Sequence, residues 1–274
     1  MHLASNFQSV VATHSDRPLY DSEIMRVAPS IFADRKHETR SDRYTYIPTI
    51  DVLHGLRNEG FEPFAVCQTR VRDESKREHT KHLLRLRHPS QITSTEANEI
   101  LLLNSHDGTS SYQMFAGMFR FVCHNGMVCG DAISDIRIPH KGNVVDRVID
   151  GAFTVLEGFE LANEQRDSMK AVMLNEGEKN AFARAALTLK YGNPAIPTPI
   201  TETQLLTSRR FEDHSSDLWT IFSRVQENLI KGGLQGRSRT GRVVTTRAVT
   251  GIDQGVQLNR ALWVLADEMR RLKA

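Results

Sequence analysis

The spacing of apolar residues changes near Asn143, and this change limits what the chain can fold into. Before it, short segments alternate apolar and polar residues, as leucine and arginine do within residues 81–88. Such alternation is typical of β-strands, whose side chains point to opposite faces. After it, apolar residues recur every three or four positions over long segments, as in amphipathic helices. The order predicts an α+β fold: a mostly antiparallel sheet backed by long helices, with a small helical C-terminal region.

Local signals place the individual elements. A first helix is expected in residues 48–60, with Thr49 as its N-cap and Gly60 as its stop. Strands are expected at residues 61–71, 81–88 and 97–106, with one or two more in 110–131. Further helices are expected at residues 143–174, 176–192, 215–233 and 253–274.

The same signals suggest three regions. Residues 1–45 look like an irregular N-terminal segment, and residues 46–192 like an α+β core domain. A proline-rich stretch, residues 194–200, is expected to be a linker. Residues 193–274 then form a helical C-terminal region that carries a basic, glycine-rich loop.

Composition narrows the class of protein. The chain has 274 residues, 39% of them hydrophobic and 25% charged, as in ordinary globular proteins. It has no apolar run of about 18 residues or more, and its N-terminus lacks the basic region of a secretory signal, so we expect no membrane association. Three cysteines do not form a disulfide framework, which favours a cytoplasmic location.

The segment FRFVCHNGMVCG, residues 119–130, could be a metal site, a thiol site or a hairpin. Asn125-Gly126 is typical of a two-residue type I′ turn. Strand alternation would then place Cys123 and Cys129 on opposite faces of the sheet, unable to share a metal or a disulfide. We therefore expect buried structural cysteines, no metal, and His124 as a polar residue beside the turn.

No familiar catalytic motif is present. The sequence lacks a P-loop, a dinucleotide fingerprint, a nucleophile elbow and a zinc-protease motif, and no pair of carboxylates stands out. We expect no cofactor and no enzymatic activity. Catalytic residues brought together from distant positions remain an alternative.

Two segments concentrate positive charge, although the net charge is only +2. The first extends from Arg70 to Arg87 and also contains acidic residues. Strand alternation would put Arg85 and Arg87 on one cationic face of the sheet. The alternative is an ordinary solvated face. The candidate nucleic-acid-binding residues here are Arg70, Arg72, Lys81, Arg85 and Arg87.

The second basic segment, residues 231–252, contains no acidic residue. Glycines and hydroxyl residues separate its cations, which suggests a flexible loop whose guanidinium groups suit phosphate oxygens. A mobile surface loop without such a role is the alternative. Its candidate nucleic-acid-binding residues are Lys231, Arg237, Arg239, Arg242 and Arg247. Tyr44, Tyr46 or Tyr112 could stack on bases, and the alternative for each is a place in the core.

Two motifs resemble those of a family known from phages and plasmids, domain of unknown function 932. The first is a hairpin of R-x-V-C-x-N type, and the second a helix-strand segment of PT-x-x-V type; the strand HLLRLRH also looks similar. The matching residues are Arg120, Val122, Cys123, Asn125 and Gly126 in the hairpin, and Pro48, Thr49, Val52, Leu56 and Gly60 in the segment. The resemblance spans most of residues 30–270 and implies a mobile-element protein without naming an activity.

The order of elements also resembles the core of Rad52-type and phage single-strand annealing proteins, although their glycine-rich, multi-alanine helix signature is absent. That resemblance implies ATP-independent strand annealing by a ring or filament that holds single-stranded DNA in a basic groove. We therefore expect a homo-oligomer that binds single-stranded nucleic acid and takes part in DNA recombination. The alternatives are an anti-defence or anti-restriction protein that binds a host protein complex, and a metal-dependent nuclease.

Overall fold

A computed structural model describes residues 10–34, 46, 48–71, 74–130, 135–139, 142–192 and 197–273. The chain divides into two compact units. The first contains Met1–Phe119, Asp131–Phe159 and Thr250–Ile252, and the second contains Arg120–Gly130, Glu160–Val249 and Asp253–Ala274. The expected boundary after residue 192 is therefore not where the structure divides, because the chain passes between the units several times.

The chain forms a curled antiparallel sheet, and the predicted α+β class is confirmed. The strands are β1 Val10–His14, β2 Glu62–Thr69, β3 His82–Arg87, β4 Glu96–Asn104, β5 Tyr112–Arg120, β6 Asn125–Val128 and β7 Asp135–Ile138. Within the first unit the strands follow the order β1-β2-β3-β4-β5, with β7 paired to β5, and β6 belongs to the second unit. Every residue of β4 is buried, so its two faces are both covered.

The N-terminal segment is more regular than its sequence suggests. Strand β1 pairs with β2, and helix α1 spans Asp21–Val27. The expectation of an irregular segment is therefore wrong for these residues. The pairing partner of β1 lies more than fifty positions along the chain, so local signals did not reveal it.

Helix α2, Thr49–Asn58, lies where the sequence predicted a helix, but Thr49 is not its N-cap. Pro48 occupies that position. The Thr49 hydroxyl lies in a buried polar cluster, 3.0 Å from His82 Nε2 and 3.1 Å from His106 Nε2. Gly60 follows the helix with a φ of +86°, the left-handed conformation expected at its stop.

The remaining helices confirm the periodicity prediction. They are α3 Val144–Ala171, α4 Glu176–Tyr191, α6 Leu218–Lys231 and α7 Ile252–Lys273, whereas the short helix α5, Glu202–Leu205, was not predicted. Asn175 and Glu178 form a capping box at the start of α4, and Asp217 caps α6 through the Thr220 amide. Helix α3 contributes its first part to the first unit and its second part, from Glu160, to the second.

The core of the second unit is aromatic. Trp219 and Phe222 on α6 contact Trp263 on α7, with ring centroids 5.9 Å apart in each pair and edge-to-face geometry. The indole of Trp263 donates a hydrogen bond of 3.0 Å to Gln165. Both tryptophans are buried, and the contacts of Trp263 connect α7 to α6 and to Gln165 on α3.

The hairpin in residues 119–130 turns at a different place from the predicted one. The turn covers residues 121–124, and Asn125 and Gly126 belong to β6. His124 has a φ of +48° and supplies the left-handed residue. The carbonyls of Cys123 and Gly126 accept hydrogen bonds from Lys231 and Gln226 on α6, so contacts within the second unit support this register over the local Asn-Gly preference.

Candidate nucleic-acid interface

The basic segment of the second unit forms a two-stranded hairpin. Strand β8, Gln235–Arg237, pairs with β9, Val243–Thr245, and Arg237 lies opposite Val243. The Ser238 amide donates to the Arg242 carbonyl at 2.8 Å, which closes the turn. The expectation of a flexible loop is therefore wrong, because backbone hydrogen bonds order this segment.

Two glycines let this hairpin lie close to neighbouring backbone. A Cβ on Gly236 would lie 1.9 Å from the Pro199 carbonyl oxygen, which accepts a 2.8 Å hydrogen bond from the Arg237 amide. A Cβ on Gly232, where φ is +62°, would lie 2.6 Å from the Arg247 carbonyl carbon. The sequence predicted that these glycines bring the backbone close to a phosphate chain. In the structure they bring it close to the backbone of neighbouring residues instead.

Four arginines project from or follow this hairpin: Arg237, Arg239, Arg242 and Arg247. All four are exposed. The Arg237 guanidinium donates to the Gly241 carbonyl at 3.1 Å, and this bond positions one cation at the turn. Residues 232–252 contain no carboxylate that could neutralise these four arginines. We call these four residues the arginine hairpin.

Lys231 has a different environment. Its ammonium group donates to the Cys123 carbonyl at 2.7 Å and to Glu227 at 2.9 Å. Glu227 is buried, and Arg210 donates two further hydrogen bonds to its carboxylate. Burial acts to raise the pKa of Glu227, but the bonds from Arg210 and Lys231 outweigh it and hold that pKa below its ordinary value. Lys231 thus connects α6 to the hairpin of residues 119–130.

The family-like hairpin motif takes part in the same ion network. Arg120 donates to the buried Asp213 carboxylate at 3.1 Å, and Arg210 pairs with Asp213 at 2.5 Å. Burial raises the pKa of the Cys123 thiol, which disfavours its nucleophilic thiolate form. Arg120, through Asp213, and Cys123, through Lys231, therefore help to hold the second unit together, and the sequence did not reveal either partner.

Two residues of the first cationic segment, Arg85 and Arg87, form ion pairs in the core of the first unit. Arg87 is 3% exposed, and its guanidinium lies over the rings of Phe64 and Phe119 at 4.4 and 4.3 Å. Arg85 and Arg87 both pair with the buried Glu99 carboxylate, at 2.5 and 2.8 Å. The expected cationic face is therefore wrong for these two residues, because both faces of β3 are covered.

The other candidates of that segment lie outside this cluster. Arg70 is exposed after β2, and Lys81 is half-buried before β3. Arg72 lies outside the described residues. The predicted cations thus differ in their surroundings. Arg85 and Arg87 on β3 form ion pairs with a buried carboxylate, whereas the residues of the arginine hairpin are exposed.

The tyrosines expected to stack on bases have other surroundings. Tyr112 is fully buried, with its hydroxyl 3.3 Å from that of Thr49. Tyr46 is half-buried, and its ring centroid lies 5.0 Å from that of His106. Tyr44 lies outside the described residues. The buried site of Tyr112 argues against the stacking role expected for it.

The cysteine and metal predictions concern the same hairpin. Cys67, Cys123 and Cys129 are free, and the last two are buried as predicted. Within the described part of the chain, no group of three or more His, Cys, Asp or Glu side chains could hold a metal ion. No helix in those ranges is long and apolar enough to cross a membrane.

Comparisons with known proteins identify close relatives. The chain is 56% identical over 267 residues to "UPF0380 protein YfjQ" of Escherichia coli (strain K12), covering 97% of each chain. It is 55% identical, with the same coverage, to "UPF0380 protein YafZ" of the same organism. No solved structure matches this chain. The likeness to Rad52-type annealing proteins finds no support among these matches.

The family model named "Domain of unknown function (DUF932)" matches residues 36–263. This range contains both motifs on which the resemblance was based, including the Thr49 segment and the Arg120–Cys123 hairpin. The chain therefore belongs to the DUF932 family, whose function its name leaves open.

Proposed function

We propose that this protein binds single-stranded nucleic acid through the arginine hairpin. The observation that carries the proposal is the group of four exposed arginines on an ordered hairpin within a stretch free of carboxylates. Guanidinium groups form bidentate hydrogen bonds with phosphate oxygens, and the release of counterions from the strand adds to affinity. Backbone hydrogen bonds hold the hairpin in shape, so less conformational freedom is lost on binding.

Strand annealing is the activity we infer from this binding mode. Arginines that hold a strand by its phosphates leave the base edges available for pairing with a second strand. A homo-oligomer, as a ring or filament, would align several hairpins along one strand. The mechanism needs no cofactor. We propose that the protein acts in the cytoplasm and belongs to a mobile element such as a phage or plasmid.

The first test replaces Arg237, Arg239 and Arg242 with alanine. Binding of a labelled single-stranded oligonucleotide is followed by fluorescence anisotropy at several salt concentrations, beside a duplex of the same sequence. Each phosphate contact contributes about 0.7 to the slope of log affinity against log salt, so the slope should fall by roughly 2 in magnitude. Affinity for the single strand should fall with it.

A matched control removes the same charge elsewhere. Arg17, Arg184 and Arg271 are paired with carboxylates at 2.9, 2.9 and 3.0 Å, and their replacement by alanine should leave the salt slope nearly unchanged. An unchanged slope in the hairpin variant, with its fold intact, would remove the hairpin from the interface. Absence of binding to either oligonucleotide at low salt would end the nucleic-acid proposal and direct the search to host protein partners.

Annealing requires a separate measurement. Two complementary labelled strands are mixed with the protein, and duplex formation is followed by energy transfer while mass photometry reports the subunit number. Faster pairing without ATP or metal, by a species larger than one chain, is expected. Strand cleavage that depends on added metal would instead favour the nuclease alternative.

A further inference from the structure

A cavity of about 450 Å³ lies beside the arginine hairpin in the second unit. Its walls come from the end of α4, from Pro199, from residues 244–249 and from Gln254 on α7. The volume lies within the range of small-molecule sites, roughly 300–1,000 Å³. The cavity is therefore large enough to take a planar ring system.

The lining has the chemistry of a site for an aromatic, hydrogen-bonding ligand. Tyr191 contributes a half-buried ring, and Pro199 and Val244 contribute apolar surface. Gln254 and Thr245 contribute an amide and a hydroxyl that can donate or accept hydrogen bonds. Nucleobases need this combination, because each has an apolar face for stacking and a polar edge.

Lys190 fixes one wall of the cavity. Its ammonium group donates to the carbonyls of Leu229 and Arg247, and it lies 5.6 Å from the centroid of the Tyr191 ring. Burial lowers the pKa of Lys190 below its ordinary value. These contacts connect the end of α4 to α6 and to the segment after β9, so Lys190 joins two walls of the cavity.

The cavity and the arginine hairpin share one stretch of chain. Val244 and Thr245 belong to β9, which begins immediately after Arg242, and Arg247 itself lines the cavity. We propose that the cavity receives one unstacked base of the strand whose phosphates contact the arginine hairpin. This inference rests on the proposed function and adds a base-recognising site to it, with Tyr191 as the stacking surface.

The test compares an oligothymidylate with an abasic strand of equal length, both labelled for anisotropy. The full-length protein should bind the base-containing strand roughly tenfold more tightly or better, in line with stacking on one aromatic side chain. Tyr191→Ala should lose that preference and keep its affinity for the abasic strand. Tyr191→Phe, which retains the ring, should keep the preference.

One further variant and a folding control complete the design. Phe211→Ala removes a ring that is 84% exposed in the same unit and does not line the cavity, so the preference should remain. If Tyr191→Ala keeps the affinity of the unmodified protein for the abasic strand, the variant has folded. If the unmodified protein binds both strands equally while the arginine variant binds both more weakly, the base site is wrong and the proposed function stands. If the protein binds neither strand, both proposals fail.

Discussion

At the scale of single residues, the arginines of this protein have two different roles. Arg87 is enclosed by two aromatic rings and a carboxylate, whereas Arg239 is exposed on the turn of a hairpin. Both belong to segments rich in arginine, so residue type and local spacing did not distinguish them. The difference lies in Glu99, a buried carboxylate on the neighbouring strand β4.

Replacement of Glu99 with glutamine should destabilise the first unit. The variant leaves Arg87 charged, buried and without a counter-charge from Glu99, and breaking a buried ion pair in this way costs about 3–5 kcal/mol. Urea unfolding monitored by circular dichroism measures the change. Glu202→Gln is the matched control, because its partner Arg184 is exposed and the loss should stay below about 1 kcal/mol. A Glu99→Gln protein as stable as the unmodified chain would contradict the role assigned to this pair.

At the scale of elements, the β8–β9 hairpin depends on close approach to neighbouring backbone. Gln204 donates a side-chain hydrogen bond of 2.7 Å to the Gln235 carbonyl, and the Arg237 amide donates to Pro199. The Thr246 amide donates to the Leu234 carbonyl at 2.8 Å and extends the pairing beyond the ladder. A short hairpin is marginal by itself, so these bonds to the rest of the second unit explain how it is ordered.

Substitution of Gly236 by alanine should loosen this hairpin. The new Cβ would overlap the Pro199 carbonyl oxygen, so the hydrogen bond from the Arg237 amide must lengthen or break. Hydrogen exchange should show faster exchange at the Arg237 and Thr246 amides, and affinity for single-stranded DNA should fall. Gly255→Ala is the control, since its Cβ would meet nothing within 4 Å and a helical alanine adds about 0.5–1 kcal/mol of stability. Unaltered exchange in Gly236→Ala would show that the contact with Pro199 does not order the hairpin.

At the scale of the whole molecule, neither unit is a continuous stretch of chain. The hairpin of residues 120–130 belongs to the second unit, and the chain then returns to the first for residues 131–159. Within the second unit, Arg120 pairs with Asp213, and Cys123 accepts a hydrogen bond from Lys231. The proline-rich stretch after residue 192 is therefore not a boundary between independent domains.

A fragment ending at residue 192 should not fold as the intact chain does. It would lack Asp213, Glu227 and the aromatic residues of α6 and α7, leaving Arg120 without its carboxylate and the apolar face of α4 exposed. Limited proteolysis and amide NMR spectra of residues 1–192 test this, with the full-length protein as the reference. A fragment that resists protease and unfolds in one sharp transition would contradict the division into these two units.

The amino-acid sequence by itself determined the class of fold, the position of the long helices and the second basic segment. These follow from periodicity, capping residues and local charge, which act over a few neighbouring positions. The resemblance to the DUF932 family was also visible in two short motifs, and the family match confirms it.

The tertiary structure decided which cations are exposed, where the hairpin of residues 119–130 turns, and that Tyr191, Pro199 and Gln254 line one cavity. Each outcome depends on partners that lie on other elements: Glu99 on β4 for Arg87, α6 for the carbonyl of Cys123, and α7 for the cavity wall. A buried charge is tolerated only when such a partner offsets its loss of hydration, and no local pattern encodes that condition. The basic residues of the arginine hairpin were visible in the sequence because they lie close together along the chain, whereas their hairpin and the cavity lined by α4, β9 and α7 are products of the tertiary structure.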